Sequence, residues 1–81
     1  MDEAQIYARL KSIFEDVFGY ESIELTPELT AEDVDGWDSI SHFRLVLTVE
    51  RVFKVKFSPT EIGTFETVGA LVALIRSHAE R

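Results

Sequence analysis

The chain has 81 residues, no cysteine, two histidines and a formal net charge of −7, from 8 Lys+Arg against 15 Asp+Glu. That composition removes disulfide staples and thiolate zinc sites, and its acidic field disfavours nucleic acids and anionic membrane surfaces while favouring partners with basic patches. With 46% hydrophobic residues, no apolar run of membrane-spanning length and no signal-peptide pattern, the expectation is one ordered cytoplasmic domain over residues 1–81, monomeric, with no stable membrane association and room for a single core.

Residues 4–18 carry Ile6, Leu10, Ile13, Phe14 and Val17 at steps of three and four, which predicts an amphipathic first helix ended by Gly19. Residues 20–38 lack a sustained period. They contain Pro27 and Gly36, scattered apolar residues from Ile23 to Trp37, and a late cluster of acids, Glu28, Glu32, Asp33, Asp35 and Asp38. A loop this long is unusual in a small domain, so its apolar residues are expected to pin it across the helices, with a short turn near Glu32-Asp33. The acids read first as a solvated charge run and second as a partner-facing rim.

Ser39–Phe53 is expected to be a second, central and largely packed helix. Ile40, Phe43, Val46 or Leu47, and Phe53 define its broad apolar face, and Asp38 caps it. Lys54-Val55-Lys56-Phe57 alternates like a strand but has no pairing partner, so an extended link is predicted. Ser58-Pro59-Thr60-Glu61 has the form of a capping box with proline at the first helical position. The helix it opens must be short, because Gly63 and Thr64 follow. Val68, Leu71, Val72, Leu74 and Ile75 then mark a last helix over about Thr67–His78. The fold class is all-α: a four-helix bundle with three main helices, one short third helix and a long first loop.

Enzymatic readings find little support. Asp35 and Asp38 are spaced as a carboxylate pair, but acid–base work needs environments that separate their pKa values, and both sit in a loop. Ser39 and His42 could share a helix face, yet no nucleophile elbow or oxyanion site accompanies them; a satisfied surface or interface histidine is the better reading of His42. His78 sits where it would complement a helix dipole. The glycines have no phosphate-loop spacing, and the acidic loop lacks the calcium-loop pattern. Ser39, at the first turn of a helix, could carry a phosphoester facing unpaired N–H groups. From spacing alone, a plain capping region remains the favoured reading of this stretch, with a modified serine second.

The run DGWDSISHFRLVLTVERVFKVKF resembles the carrier-protein family, which comprises the acyl carrier proteins and the related peptidyl and aminoacyl carriers. The carrying residues are Asp38-Ser39-Ile40 opening a helix, the Phe43/Val46/Leu47 stripe, and Glu50-Arg51-Val52-Phe53; EIGTFETVGALVALI looks like the family's short third helix and the approach to its fourth. The resemblance implies that Ser39 is the attachment site of 4′-phosphopantetheine. It implies that a phosphopantetheinyl transferase delivers the group from coenzyme A with Mg2+, and that Asp38 assists the magnesium during attachment, with no stable metal afterwards. The protein itself would be non-catalytic, carrying acyl intermediates as thioesters to acyl-activating, acyltransferase or ketosynthase-type enzymes of fatty-acid-like, polyketide or other specialised biosynthesis. Leu45 and Val46 match positions near the arm's base or an acyl cavity, which Ile62, Phe65, Val68 and Leu71 would also line.

Two alternatives stand beside the acyl carrier: an aminoacyl or peptidyl carrier of a nonribosomal-type pathway, and an unmodified helical interaction module. Typical fatty-acid carriers display acids on the second helix for basic enzyme patches. Here the outer positions include Ser41, His42 and Arg44, Glu50 is followed by Arg51, and Trp37 replaces a small residue. These departures imply a specialised discrete carrier, a reading that the initial methionine and short tails also suit. Its partner would contact an apolar and basic second helix through Asp35, Trp37, Ile40, His42, Phe43, Arg44 and Leu47.

Overall fold

The computed structural model describes residues 2–79. Four helices run in the order α1 (Glu3–Phe18), α2 (Ser39–Phe53), α3 (Pro59–Thr64) and α4 (Val68–Ala79). This is the expected all-α bundle with a short third helix and a long first loop.

Each helix begins and ends where local chemistry dictates. Asp2 caps α1 in a reciprocal capping box with Gln5, and Gly19 closes it in the left-handed region at φ 76°, a conformation open to glycine without a Cβ penalty. Ser58 and Glu61 form the expected capping box of α3, with Pro59 at its first position. The side chain of Thr67 accepts from Ala70 N–H at 3.1 Å at the start of α4, satisfying one of the N–H groups that a helix start leaves without an intrahelical partner.

α1 packs against both α2 and α4. It contributes Ile6, Leu10, Ile13 and Phe14 to a core completed by Leu45, Val46, Val49 and Phe53 of α2 and Val68, Leu71, Val72 and Ile75 of α4. Burial of such side chains supplies about 1.5–3 kcal/mol each before the entropy of ordering is charged against it.

The face that α2 turns inward differs from the one its sequence suggested. Val46 and Phe53 are buried as expected, but Ile40 is 73%, Phe43 55% and Leu47 51% exposed. The helix carries apolar residues on two stripes, and the inner one runs through Leu45, Val46, Val49 and Phe53. Periodicity identifies both stripes as helical without saying which one a neighbour covers.

The loop from 20 to 38 is anchored at several points, as its apolar residues predicted. Val34 and Trp37 reach the core, and Ile23, Leu25 and Leu29 pack against it. Its backbone also completes α4: Leu29 O accepts from Val68 N–H at 2.9 Å and Pro27 O from Gly69 N–H at 3.0 Å, while Thr30 and Thr67 form an isolated antiparallel bridge. Two donors at the start of α4 are thereby paired by a segment forty residues earlier in the chain. The link after α2 is held by one side chain: Glu50 accepts from Phe57 N–H at 2.9 Å, and its carbonyl receives Val55 N–H.

Candidate functional site

Ser39 is the first residue of α2 and is exposed to solvent. The turn that delivers it is built in steps. Tyr20 Oη accepts from Asp35 N–H at 2.9 Å, tying the loop to the end of α1. Gly36 takes φ +89°, a left-handed value that most side chains resist, and its carbonyl receives Asp38 N–H at 3.0 Å. Trp37 then plugs the chain into the core at 8% exposure, edge-on to Phe14 with ring centroids 5.4 Å apart. With Trp37, two residues before it, buried in the core and α2 beginning at Ser39 itself, the serine is held outward at a fixed point.

Asp38 caps α2 in extended backbone geometry and accepts from Ser41 N–H at 2.8 Å. That backbone donor is the largest influence and holds the carboxyl below its ordinary value; desolvation opposes it, and the Ser41 hydroxyl and neighbouring N–H groups add to the lowering. A carboxylate that is both ionised and adjacent to the serine suits cation-assisted chemistry on the hydroxyl. Within the described residues the Ser39 hydroxyl makes no hydrogen bond. It is therefore free to be esterified without breaking an internal contact, and a phosphate placed on it would lie at the positive end of α2. On these grounds the site fits a phosphodiester-linked group.

The remaining residues singled out from the sequence divide into three sets. Ile40, Phe43, Arg44 and Leu47 are exposed on α2, and Asp35 is exposed in the loop. Trp37 and His42, expected among the docking residues, instead face inward. Trp37 belongs to the core, where its indole packs T-shaped against Phe14, and His42 is half-buried between two rings, stacked on Trp37 at 6.1 Å and on Phe65 at 4.8 Å. Leu45, Val46, Val68 and Leu71 are fully buried, and Ile62 is half-buried. Of the six expected cavity residues, Phe65 borders an open cleft of about 410 Å3, shared with Trp37, His42, Thr30, Ala31, Glu32 and Glu66.

Several supports escaped the sequence reading. His78 does more than complement a helix end: its Nε2 lies 3.0 Å from both carboxylate oxygens of Glu61, joining α4 to α3. The Tyr20–Asp35 and Glu50–Phe57 contacts join residues whose pairing no local motif announces. No helix among the described residues is long and apolar enough to cross a membrane.

Comparison with known proteins agrees with this geometry. Residues 8–75 match the family model described as "Phosphopantetheine attachment site". The chain is 33% identical over 78 residues to a meromycolate extension acyl carrier protein of Mycolicibacterium aurum, covering 96% of this chain and 80% of that protein. It is 32% identical to an acyl carrier protein of Coprothermobacter proteolyticus, over 96% and 95% of the two chains. The solution structure of a holo acyl carrier protein from Geobacter metallireducens superposes with a TM-score of 0.86 at 39% identity, covering 93% of this chain and 86% of that one. A helical bundle that presents a free serine beside an ionised cap, matched over nearly its whole length, belongs to the acyl carrier protein family of phosphopantetheine-binding carriers.

Proposed function

We propose that Ser39 carries 4′-phosphopantetheine as a phosphodiester and that the protein uses the arm to present acyl groups to successive enzymes. The observation that carries this reading is the exposed Ser39 hydroxyl, without a hydrogen-bond partner among the described residues, at the start of α2 and next to the ionised Asp38. Attachment forms a bond from Ser39 Oγ to the phosphorus that bears pantetheine in coenzyme A. The bridging P–O bond to the adenosine portion breaks, adenosine 3′,5′-bisphosphate leaves, and the serine proton passes to a base of the transferase. Asp38 would help to hold a Mg2+ supplied with the transferase, and no stable metal would remain on the carrier.

When bound, the arm supplies a terminal thiol that holds an acyl group as a thioester. The chain's own residues then position rather than catalyse: Trp37 and Gly36 fix where Ser39 projects, and α2 offers the surface that partners meet. Tethering raises the effective concentration of the intermediate at each partner. An acyl cargo is favoured over an aminoacyl one by the acyl carriers among the similar proteins. The partners are the transferase and acyl-activating, acyltransferase or ketosynthase-type enzymes, met in the cytoplasm.

The absence of cysteine gives this reading a direct test. Before treatment with coenzyme A, Mg2+ and a broad-specificity transferase, a thiol reagent finds no group to titrate. Afterwards it finds one per chain, and acylation of that thiol is reversed by hydroxylamine. A protein that gains no thiol contradicts the proposal.

A further inference from the structure

The formal charge of the whole chain conceals a partition. Residues 39–57 contain Arg44, Arg51, Lys54 and Lys56 against a single acid, Glu50; the rest of the chain holds four cations against fourteen carboxylates. All four cations of this segment are exposed, and none forms an ion pair among the described residues. The one acid is engaged, accepting from Phe57 N–H. The segment that begins at Ser39 is therefore locally positive on an otherwise strongly negative molecule.

The same segment carries the large exposed hydrophobics. Ile40, Phe43 and Leu47, separated by three and four positions, form one outward stripe along α2, each more than half exposed. Arg44 follows Phe43, and Arg51 lies one helical turn beyond Leu47. Beside Leu47 a shallow depression of about 280 Å3 is bordered by Glu50, Arg51, Val55 and Lys56. Three adjacent apolar side chains kept in water at the mouth of the attachment site form a contact patch rather than isolated surface residues.

Taking the protein as a carrier whose α2 meets its partners, we infer that Ile40, Phe43 and Leu47 dock into an apolar groove edged by carboxylates, which pair with Arg44 and Arg51. The net charge of −7 alone would suggest a basic partner, but contact is made at the stripe, whose flanking charges within α2 are the exposed Arg44 and Arg51. An anionic membrane surface fits less well, because the fourteen carboxylates on the remainder of the chain oppose its approach. The partner's carboxylates select orientation: they attract α2 and repel the acidic loop from 28 to 38, so that Ser39 arrives facing the groove.

The test uses the full-length chain, labelled with nitrogen-15 and titrated with a helical peptide that presents a leucine stripe flanked by glutamates. A matched peptide with lysines in place of the glutamates and phosphatidylglycerol vesicles are the comparison probes. The expected result is chemical-shift change centred on Ile40, Phe43, Arg44, Leu47 and Arg51 with the glutamate peptide, and binding at least about tenfold weaker with the lysine peptide. The double variant Arg44→Glu/Arg51→Glu reverses that order, and its melting temperature, compared with wild type, shows that the fold is retained. Equal or tighter binding of the lysine peptide, absence of binding by the glutamate peptide, shift changes on another face, binding to the vesicles, or concentration-dependent self-association without peptide overturns the inference. Docking in this assay needs no arm, so Ser39→Ala binds as wild type does. A failure here leaves attachment at Ser39 standing, and a failure of attachment leaves this result standing.

Discussion

Trp37 Nε1 lies 3.0 Å from His42 Nδ1, and the other nitrogen of that imidazole lies 3.0 Å from the carbonyl oxygen of Ile62. The indole N–H can only donate and the carbonyl can only accept, so the pair of contacts assigns the proton to Nε2 and leaves Nδ1 as the acceptor. One side chain of α2 thus joins the turn before Ser39 to α3. His42→Phe keeps a ring in the stack but loses both hydrogen bonds and leaves the indole N–H without its acceptor. Denaturant unfolding followed by tryptophan emission should show a loss of about 1–3 kcal/mol. Imidazole nitrogen-15 shifts of the wild type should report Nδ1 bare and Nε2 protonated at neutral pH. Unchanged stability in the variant, or the opposite tautomer, contradicts the bridging role.

Gly69 and Gly63 make a matched pair for testing how the long loop is anchored. A Cβ on Gly69 would meet Pro27 O at 3.0 Å and Pro27 Cβ at 3.1 Å, whereas one on Gly63 meets nothing within 4 Å among the described residues. Gly69→Ala is expected to lower stability by about 1 kcal/mol, because crowding against the loop backbone outweighs the helical preference for alanine. Gly63→Ala, which gains the preference without the clash, should be neutral or stabilising by up to about 1 kcal/mol. Thermal or denaturant melts of the two variants check the contrast, and equal behaviour removes the argument for close packing at Pro27.

Acid should loosen α3. The Glu61 carboxyl is held below its ordinary value, first by Ser58 N–H at the helix cap and then by His78. A carboxyl depressed in the folded state adds stability that is present above its unfolded value of 4.5 and lost as pH falls through the lower folded value. Glu61→Gln should therefore reduce the melting temperature at pH 7, and the gap from wild type should narrow as pH falls below about 4.5. A gap that stays constant from pH 7 to pH 3 contradicts the assignment.

How much of this was legible in the sequence varies by element, for physical reasons. The first helix has one apolar stripe and a glycine stop, so the expected helix over 4–18 and the observed Glu3–Phe18 differ by one residue. The third was readable from its capping box alone. The second was recognisable as a helix but misleading as a surface, because two stripes satisfy the same period and only tertiary packing decides that Leu45 and Val49 go in while Ile40 and Phe43 stay out. Trp37 offered a large apolar group before the serine, which reads equally as docking surface or anchor. The contacts that settle it, with Phe14 from α1 and His42 from α2, join separate elements. The capping of α4 by Pro27 and Leu29 carbonyls was invisible for a similar reason, since backbone atoms carry no sequence signature.

The most direct test of the central claim is the intact mass of wild type, Ser39→Ala and Ser41→Ala after treatment with coenzyme A, Mg2+ and a broad-specificity phosphopantetheinyl transferase. Circular dichroism first confirms that all three remain helical. One added phosphopantetheinyl group is expected on wild type and on Ser41→Ala, mapped by peptide fragmentation to Ser39, and none on Ser39→Ala. Modification that persists in Ser39→Ala, or wild type that gains no mass, would contradict the claim.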